Sequence, residues 1–322
     1  MSLELKNLED ARKVLMDNAY VVETPLLHAP SIVEDQSVEL YLKLENTQLG
    51  GSFKMRGVAN CFHKWMDSQG KIDKSLVTMS AGNYGKSFAM MVQKVKCKGL
   101  VCIPETAPSD RVATIKSFGV DVKLFPSSEL MTKVNHFVDN HGMTFCHPFD
   151  DIDLICGHAS VGLEILEQQS LGPDDIVVVC CGGGGLLAGI ASALRLSGCK
   201  ARIVGVEPEG APGQYNSRDA KKAVTVDLKP TIASGLSPPF AGENCFDIID
   251  EHVDDLVLVC DDEIRVAMKA LFNRGLVSEP SGAAALAAVL SGKLGDISNR
   301  KVVCTVSGGN ITPADVNKFC SL

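Results

Sequence analysis

Residues Ile176-Val177-Val178-Val179-Cys180-Cys181-Gly182-Gly183-Gly184-Gly185-Leu186-Leu187-Ala188 carry the decisive pattern. The first five form a continuous apolar run, which suits a parallel strand buried on both faces. Four successive glycines follow, and then an apolar helix-like stretch, Gly185–Leu196. Glycine leaves no side chain between the backbone N–H groups and a ligand, and a helix start adds partial positive charge. Strand, glycine turn and helix together make an anion cradle suited to phosphate. The alternative is a turn that only joins strand to helix.

Outward from this unit the same alternation recurs. Strands are predicted at Glu39–Leu44, Ser75–Met79, Gly99–Ile103, Val120–Leu124, Arg202–Val206, Leu256–Val259 and Lys301–Val306. Between them helices are predicted at Asn83–Val95, Ser109–Phe118, His158–Gln168, Asp262–Arg274 and Pro280–Leu290. Strand–helix alternation implies an α/β, doubly wound architecture with mostly parallel sheets. The 322 residues allow about two domains at roughly 150 residues each.

Composition sets outer limits. Hydrophobic residues make up 45% and charged residues 22%, as in globular proteins rather than disordered ones. A net charge of −8 argues against wrapping a nucleic-acid backbone, which needs a basic face. No apolar run reaches the roughly 18 residues that a bilayer span needs, so no membrane partner is expected. The start, Met1-Ser2-Leu3-Glu4-Leu5-Lys6-Asn7, lacks a secretory pattern, and a cytoplasmic location is expected. The twelve cysteines include no CxxC pair; Cys97, Cys102, Cys180, Cys260 and Cys304 sit in or beside apolar runs, as small buried hydrophobes do. Reduced thiols and no dedicated transition-metal site are the expectation.

Three further motifs bear on chemistry. Gly50-Gly51-Ser52-Phe53-Lys54-Met55-Arg56-Gly57 places a lysine at a glycine-rich turn entering a helix. Near the positive end of a helix that lysine should lose its proton more easily, and a neutral amine is what condensation with an aldehyde requires. Ser80-Ala81-Gly82-Asn83-Tyr84-Gly85 follows a strand and exposes N–H groups at another helix start, which suits a carboxylate; by itself it reads equally as an N-cap. Val306-Ser307-Gly308-Gly309-Asn310 puts a hydroxyl at a strand end. One competing reading is a nicotinamide site. Gly183-x-Gly185-x-x-Ala188 fits GxGxxA, and Glu207 ends the next strand.

Taken in order, GSFKMRG, SAGNYG, GGGGLLAG and SGGN resemble the fold type II pyridoxal-phosphate enzymes, specifically the serine/threonine dehydratase and serine racemase family. Supporting segments are Thr24-Pro25-Leu26, Leu42-Lys43-Leu44-Glu45-Asn46, His147-Pro148-Phe149-Asp150, Gly157-His158-Ala159-Ser160 and Glu279-Pro280-Ser281-Gly282. The resemblance implies a large cofactor domain built from residues 1–74 and 151–322, with a smaller mobile domain, residues 75–150, inserted in it. Lys54 would hold pyridoxal 5'-phosphate covalently, with Phe53 against its ring and Asn83 on its 3-hydroxyl. Gly182, Gly183, Gly184, Gly185 and Leu186 would cradle the phosphate. Ser307 would face the ring nitrogen and Gly235 would line the ring. The loop Ser80, Ala81, Gly82, Asn83 and Tyr84 would hold the substrate carboxylate.

The implied activity is a lyase that eliminates water from serine, threonine or a related β-hydroxy amino acid, giving a 2-oxo acid and ammonia. The alternatives are an amino-acid racemase on the same scaffold and a nicotinamide-dependent oxidoreductase. The resemblance also implies a homodimer. Three departures qualify it. Ala81 stands where the racemases carry the serine that acts on the second face of the substrate, and Tyr84 replaces a histidine. Glu207 and Ala211 match two of three cation ligands, but Gly213 stands where the third, an aspartate, is expected, so the divalent-cation set is incomplete. The chain ends at Leu322 soon after SGGN, so the long regulatory domain of biosynthetic threonine dehydratases is not expected.

Overall fold

Parallel strands flanked by helices build the chain into two sheets. The strands are β1 (Leu26–His28), β2 (Glu39–Lys43), β3 (Leu76–Met79), β4 (Gly99–Pro104), β5 (Asp121–Phe125), β6 (Thr144–Phe145), β7 (Ile176–Cys180), β8 (Arg202–Pro208), β9 (Asp255–Val259) and β10 (Lys301–Thr305). The first helices are α1 (Leu5–Asp17), α2 (Lys54–Trp65), α3 (Asn83–Val95), α4 (Ser109–Ser117), α5 (Leu130–His141) and α6 (Ile152–Gln168). They are followed by α7 (Gly185–Leu196), α8 (Gly213–Ala220), α9 (Glu243–His252), α10 (Asp261–Phe272), α11 (Pro280–Leu290) and α12 (Pro313–Cys320). This computed structural model describes residues 3–320. Met1, Ser2, Ser321 and Leu322, at the outer limits of the first and last expected segments, lie outside the described residues.

The larger sheet has the order β1-β2-β10-β7-β8-β9, parallel except for the β1–β2 pair. The smaller, β5-β4-β3-β6, is parallel throughout. Strand β10, last in the chain, is threaded between β2 and β7, with Val303 opposite both Tyr41 and Val177. Its carboxyl end therefore lies between the loop that leads to Lys54 and the glycine turn after β7. A parallel α/β sheet binds ligands at that edge, where strand order switches.

The fold expected from sequence is the fold observed, and several elements differ in extent. Helix α6 begins at Ile152, not at His158, because Asp151 caps it by accepting the Leu154 N–H at 3.0 Å. Strands β1 and β6, with three and two residues, are too short to show a period; pairing with β2 and β3 creates them. Helix α1 buries only Leu8, Ala11 and Leu15, a thin stripe on a polar segment. All five residues of β7 are buried, as its unbroken apolar run requires. Helices α2 and α6 cross in backbone contact: a Cβ on Gly157 would lie 2.5 Å from the Arg56 carbonyl oxygen. The twelve cysteines are free thiols.

Candidate active site

Lys54 opens α2 at the end of a turn in which Gly50 and Gly51 have φ of +82° and +78°. Side-chain-bearing residues rarely adopt that conformation. The turn is pinned to the loop after β10: Phe53 N–H donates to the Ser307 carbonyl at 3.1 Å, and Gly309 N–H donates to the Gly51 carbonyl at 2.9 Å. Lys54 and Ser307, 253 positions apart, are thereby held together. The Lys54 Nζ donates to the Pro148 carbonyl at 2.8 Å and lies 5.0 Å from the Phe53 ring centre and 5.7 Å from that of Tyr84. Enclosure by this mostly apolar wall strips water from the ammonium and lowers its pKa to about 8. Roughly a fifth of the amine is then neutral near pH 7.4, against about one part in a thousand for an ordinary lysine.

The glycine turn has the donors an anion needs. Among the described residues, the N–H groups of Gly182, Gly183, Gly184, Gly185 and Leu186 find no protein acceptor. Gly184 has φ of +109°, and a Cβ there would meet Cys245 at 2.6 Å. Gly182 abuts the backbone of Leu236, so the turn carrying Gly235 packs directly on the cradle. Gly235 N–H donates to Ser281 Oγ at 2.9 Å. The Phe149 ring lies against Gly183, so one short segment, Pro148-Phe149, touches both Lys54 and the cradle. The Ser307 hydroxyl lies beside the Cys180 thiol, with no charged partner.

A cavity of about 440 Å³ lies beside these turns, and its wall includes Ala81, Gly82, Asn83, Lys86, Gly235 and Glu279. Lys54, Phe53, Ser307, Ser80, Tyr84 and the glycine turn are not part of this wall. Ser80 turns back to accept the Gly82 N–H at 3.2 Å. The Tyr84 side chain is not part of that wall: the residue is 3% exposed and packed in the core around α2 and α3, so only its backbone N–H is offered to a carboxylate. Burial pushes its phenol well above the ordinary value. The N–H groups of Asn83, Tyr84 and Gly85 at the start of α3 find no acceptor among the described residues, so a carboxylate still meets free donors there.

Other functional neighbours were not legible as such. Lys43, Glu45, Arg56 and Glu164 form a fully buried ion cluster directly behind the Lys54 turn. Arg56 grips Glu45 with Nε and Nη2, both at 2.8 Å, and Glu164 with Nη1 at 2.6 Å and Nη2 at 2.8 Å. Lys43 completes it, 2.6 Å from Glu164. Burial alone would raise the Glu164 pKa, but Arg56 and Lys43 hold it below the usual carboxylate range. His158 stands edge-on to Phe53, 4.8 Å between ring centres, and burial pushes its pKa far down, so it is neutral. The KLEN and SFKMR segments held the cluster's members, but nothing in the sequence paired them.

Glu207 is committed to the fold. It is fully buried, its Oε1 accepts the Gln214 N–H at 2.9 Å, and its Oε2 accepts the Tyr215 N–H at 2.7 Å. It therefore caps the start of α8, and no carboxylate is free to take a ribose as the nicotinamide reading requires. Gly213 adds no ligand, the Ala211 carbonyl accepts the Gly213 N–H, and the described residues contain no group of three or more metal-binding side chains. The described helices include none long and apolar enough to cross a membrane.

A lysine amine that loses its proton more easily than usual, five N–H groups on a glycine turn without partners among the described residues and an uncharged hydroxyl form a site that fits an aldehyde bearing a phosphate and a ring nitrogen. Comparison with known proteins agrees. Residues 18–308 match the family described as pyridoxal-phosphate dependent enzyme. The chain belongs to that family, and its cofactor is pyridoxal phosphate. It is 38% identical over 285 residues to the catabolic L-threonine dehydratase TdcB of Escherichia coli, covering 87% of this chain and 85% of that one. It is 37% identical to an L-threonine ammonia-lyase of Geobacter sulfurreducens over 90% of this chain and 72% of the relative. The crystal structure of serine racemase from Dictyostelium discoideum superposes with a TM-score of 0.85 at 34% identity, covering 96% of this chain and 99% of that one.

Proposed function

We propose that the enzyme is a lyase that converts a small L-β-hydroxy amino acid, threonine or serine, into a 2-oxo acid and ammonia. The Cα–H and Cβ–O bonds break and water leaves; the resulting enamine then takes up water and releases ammonia. Lys54 holds the cofactor and, once displaced by the substrate amine, accepts the α-proton. Bound pyridoxal phosphate supplies a sink for the negative charge that develops at the α-carbon. Gly182 to Leu186 would bind its phosphate, Phe53 and Gly235 would flank its ring, and Asn83 and Ser307 would meet its 3-oxygen and its nitrogen. The N–H groups at the start of α3 and the loop Ser80–Asn83 orient the substrate carboxylate. An uncharged Ser307 cannot hold a proton firmly on the ring nitrogen, which favours prompt elimination over a long-lived carbanion.

One observation carries the choice of lyase over racemase. Racemisation needs a second proton carrier opposite the lysine. Position 81 offers a methyl group on the cavity wall, and burial keeps the Tyr84 phenol protonated, far above its ordinary range, so it is a poor proton acceptor although its ring lies 5.7 Å from the Lys54 amine. The likeness to a serine racemase structure makes racemisation the second reading. Incubation of L-serine and L-threonine with the enzyme, followed by 2-oxo acid assay and chiral chromatography, tests both. D-serine in excess of pyruvate would overturn the lyase.

The same reading includes residues 75–150 as a unit that moves over the site and excludes water, a cytoplasmic location and a homodimer. Free thiols support the location. Scattering with and without substrate, and light-scattering mass, test the motion and the dimer.

A further inference from the structure

Asn83 does not stand alone. Its Nδ2 donates to Glu279 Oε1, and its Oδ1 accepts Asn310 Nδ2 at 2.8 Å. Asn310 Oδ1 in turn accepts Lys86 Nζ at 2.7 Å, and its Nδ2 also donates to the Gly50 carbonyl at 2.8 Å. The result is a chain of hydrogen bonds, Lys86 to Asn310 to Asn83 to Glu279, between α3 and the loops of the larger sheet. Two glycines make room for it. A Cβ on Gly51 would lie 2.5 Å from Asn310 Oδ1, and one on Gly308 would collide with Glu279 Oε1 and come within 3.0 Å of Asn83 Nδ2.

The direction of this chain is set by its ends. An ammonium only donates, and a carbonyl only accepts. Lys86 therefore demands the oxygen of Asn310, and the Gly50 carbonyl demands its nitrogen. Asn310 then offers an N–H to Asn83, which answers with its oxygen and turns its NH2 the other way, one N–H to Glu279 and the second left for the site. A carboxamide turned the other way would aim an oxygen lone pair at the site. An anionic 3-oxygen on the cofactor ring needs a donor, so one carboxamide orientation binds and the other repels. The cation at one end also polarises every bond along the chain in the same sense.

We propose that Lys86 is a positioning residue that, acting through Asn310 and in the same sense as the Gly50 carbonyl and Glu279, holds the Asn83 carboxamide with its second N–H toward the cofactor's 3-oxygen. This rests on the placement of the cofactor ring beside Asn83 described above. Lys86 itself lies on the cavity wall, half-buried. It would set the electronic state of the bound cofactor without being its anchor.

The test uses the holoenzyme and three variants, Lys86→Met, Lys86→Arg and Asn310→Asp, read by absorbance spectra at one pH and by cofactor titration of the stripped proteins. Losing the donor to the 3-oxygen favours the neutral 3-hydroxyl, so the long-wavelength band should give way to the near-ultraviolet band in Lys86→Met. Cofactor affinity should fall about tenfold, the scale of one bond to a charged group. Lys86→Arg should restore the wild-type band. Asn310→Asp keeps the size and an oxygen for Lys86 but has no N–H for Asn83, and should show the same shift in a folded protein even where Lys86→Met folds poorly. Wild-type spectra and affinities in both Lys86→Met and Asn310→Asp would overturn the inference. A wild-type protein with no visible band would instead overturn the placement of the cofactor, and the inference with it.

Discussion

The amine of Lys54 is held 2.8 Å from the carbonyl oxygen of Pro148, on the segment whose next residue, Phe149, lays its ring on Gly183. Lysine and cradle, distant in sequence, thus share one short strap between β6 and α6. The strap also explains why the lysine is poorly hydrated, and from that a rate follows.

Cofactor-stripped enzyme should recombine with pyridoxal phosphate faster as pH rises, because only the neutral amine attacks the aldehyde. With Lys54 lowered to about 8, the rate should be half-maximal near that pH and level off above it. An ordinary lysine would keep climbing past pH 10. Stopped-flow absorbance gives the profile. Borohydride should then trap the cofactor on the peptide containing Lys54, and Lys54→Ala should be colourless.

Gly183→Asp should lose the cofactor while keeping the fold. The new side chain starts against the Phe149 ring and, once that ring yields, leaves a carboxylate at the cradle; like charges about 4 Å apart in a partly desolvated site repel by about 4 kcal/mol, roughly a thousandfold in affinity. Gly183→Ala separates charge from bulk. Its methyl must push the Phe149 ring aside, so it should weaken binding by less. Far-ultraviolet circular dichroism and cofactor titration read the two effects.

The buried cluster should dominate a loss of stability. Glu164→Gln leaves Lys43 and Arg56 short of a counter-charge with no access to water. Breaking a buried pair from one side costs about 3–5 kcal/mol, measurable by urea unfolding. In the wild type, Glu164 has a pKa below that of the unfolded chain. Its contribution is complete above the ordinary carboxylate pKa and is lost as pH falls through the folded value. Glu164→Gln should flatten that part of the acid limb.

Ala81→Ser should raise racemisation of L-serine relative to pyruvate formation. The hydroxyl would stand on the cavity wall, where the wild type offers a methyl group. Chiral chromatography with a parallel pyruvate assay reads the ratio. An unchanged ratio in a folded, cofactor-loaded variant would show that position 81 does not reach the α-carbon.

The sequence by itself determined the alternation of strand and helix, the glycine cradle after Ile176–Cys180 and the lysine at a glycine turn. Each is local: an apolar run of strand length, a string of residues without side chains, a helix start. Helices Asn83–Val95, Gly185–Leu196 and Pro280–Leu290 were legible to the residue for the same reason. Only the tertiary structure decided the rest. Lys43 and Glu45 meet Arg56 and Glu164 because β2, α2 and α6 pack together, and no periodicity marks a charge as buried. Tyr84 reads as a loop residue at a binding site, yet the first turn of α3 carries its ring into the core. Glu207 reads as a ligand for ribose or cation, yet the fold brings α8 onto it and its carboxylate becomes a helix cap. Hydrogen-bond partners and burial are set by which distant segments meet, and those meetings are chosen by the packing of whole elements rather than by any one stretch of chain.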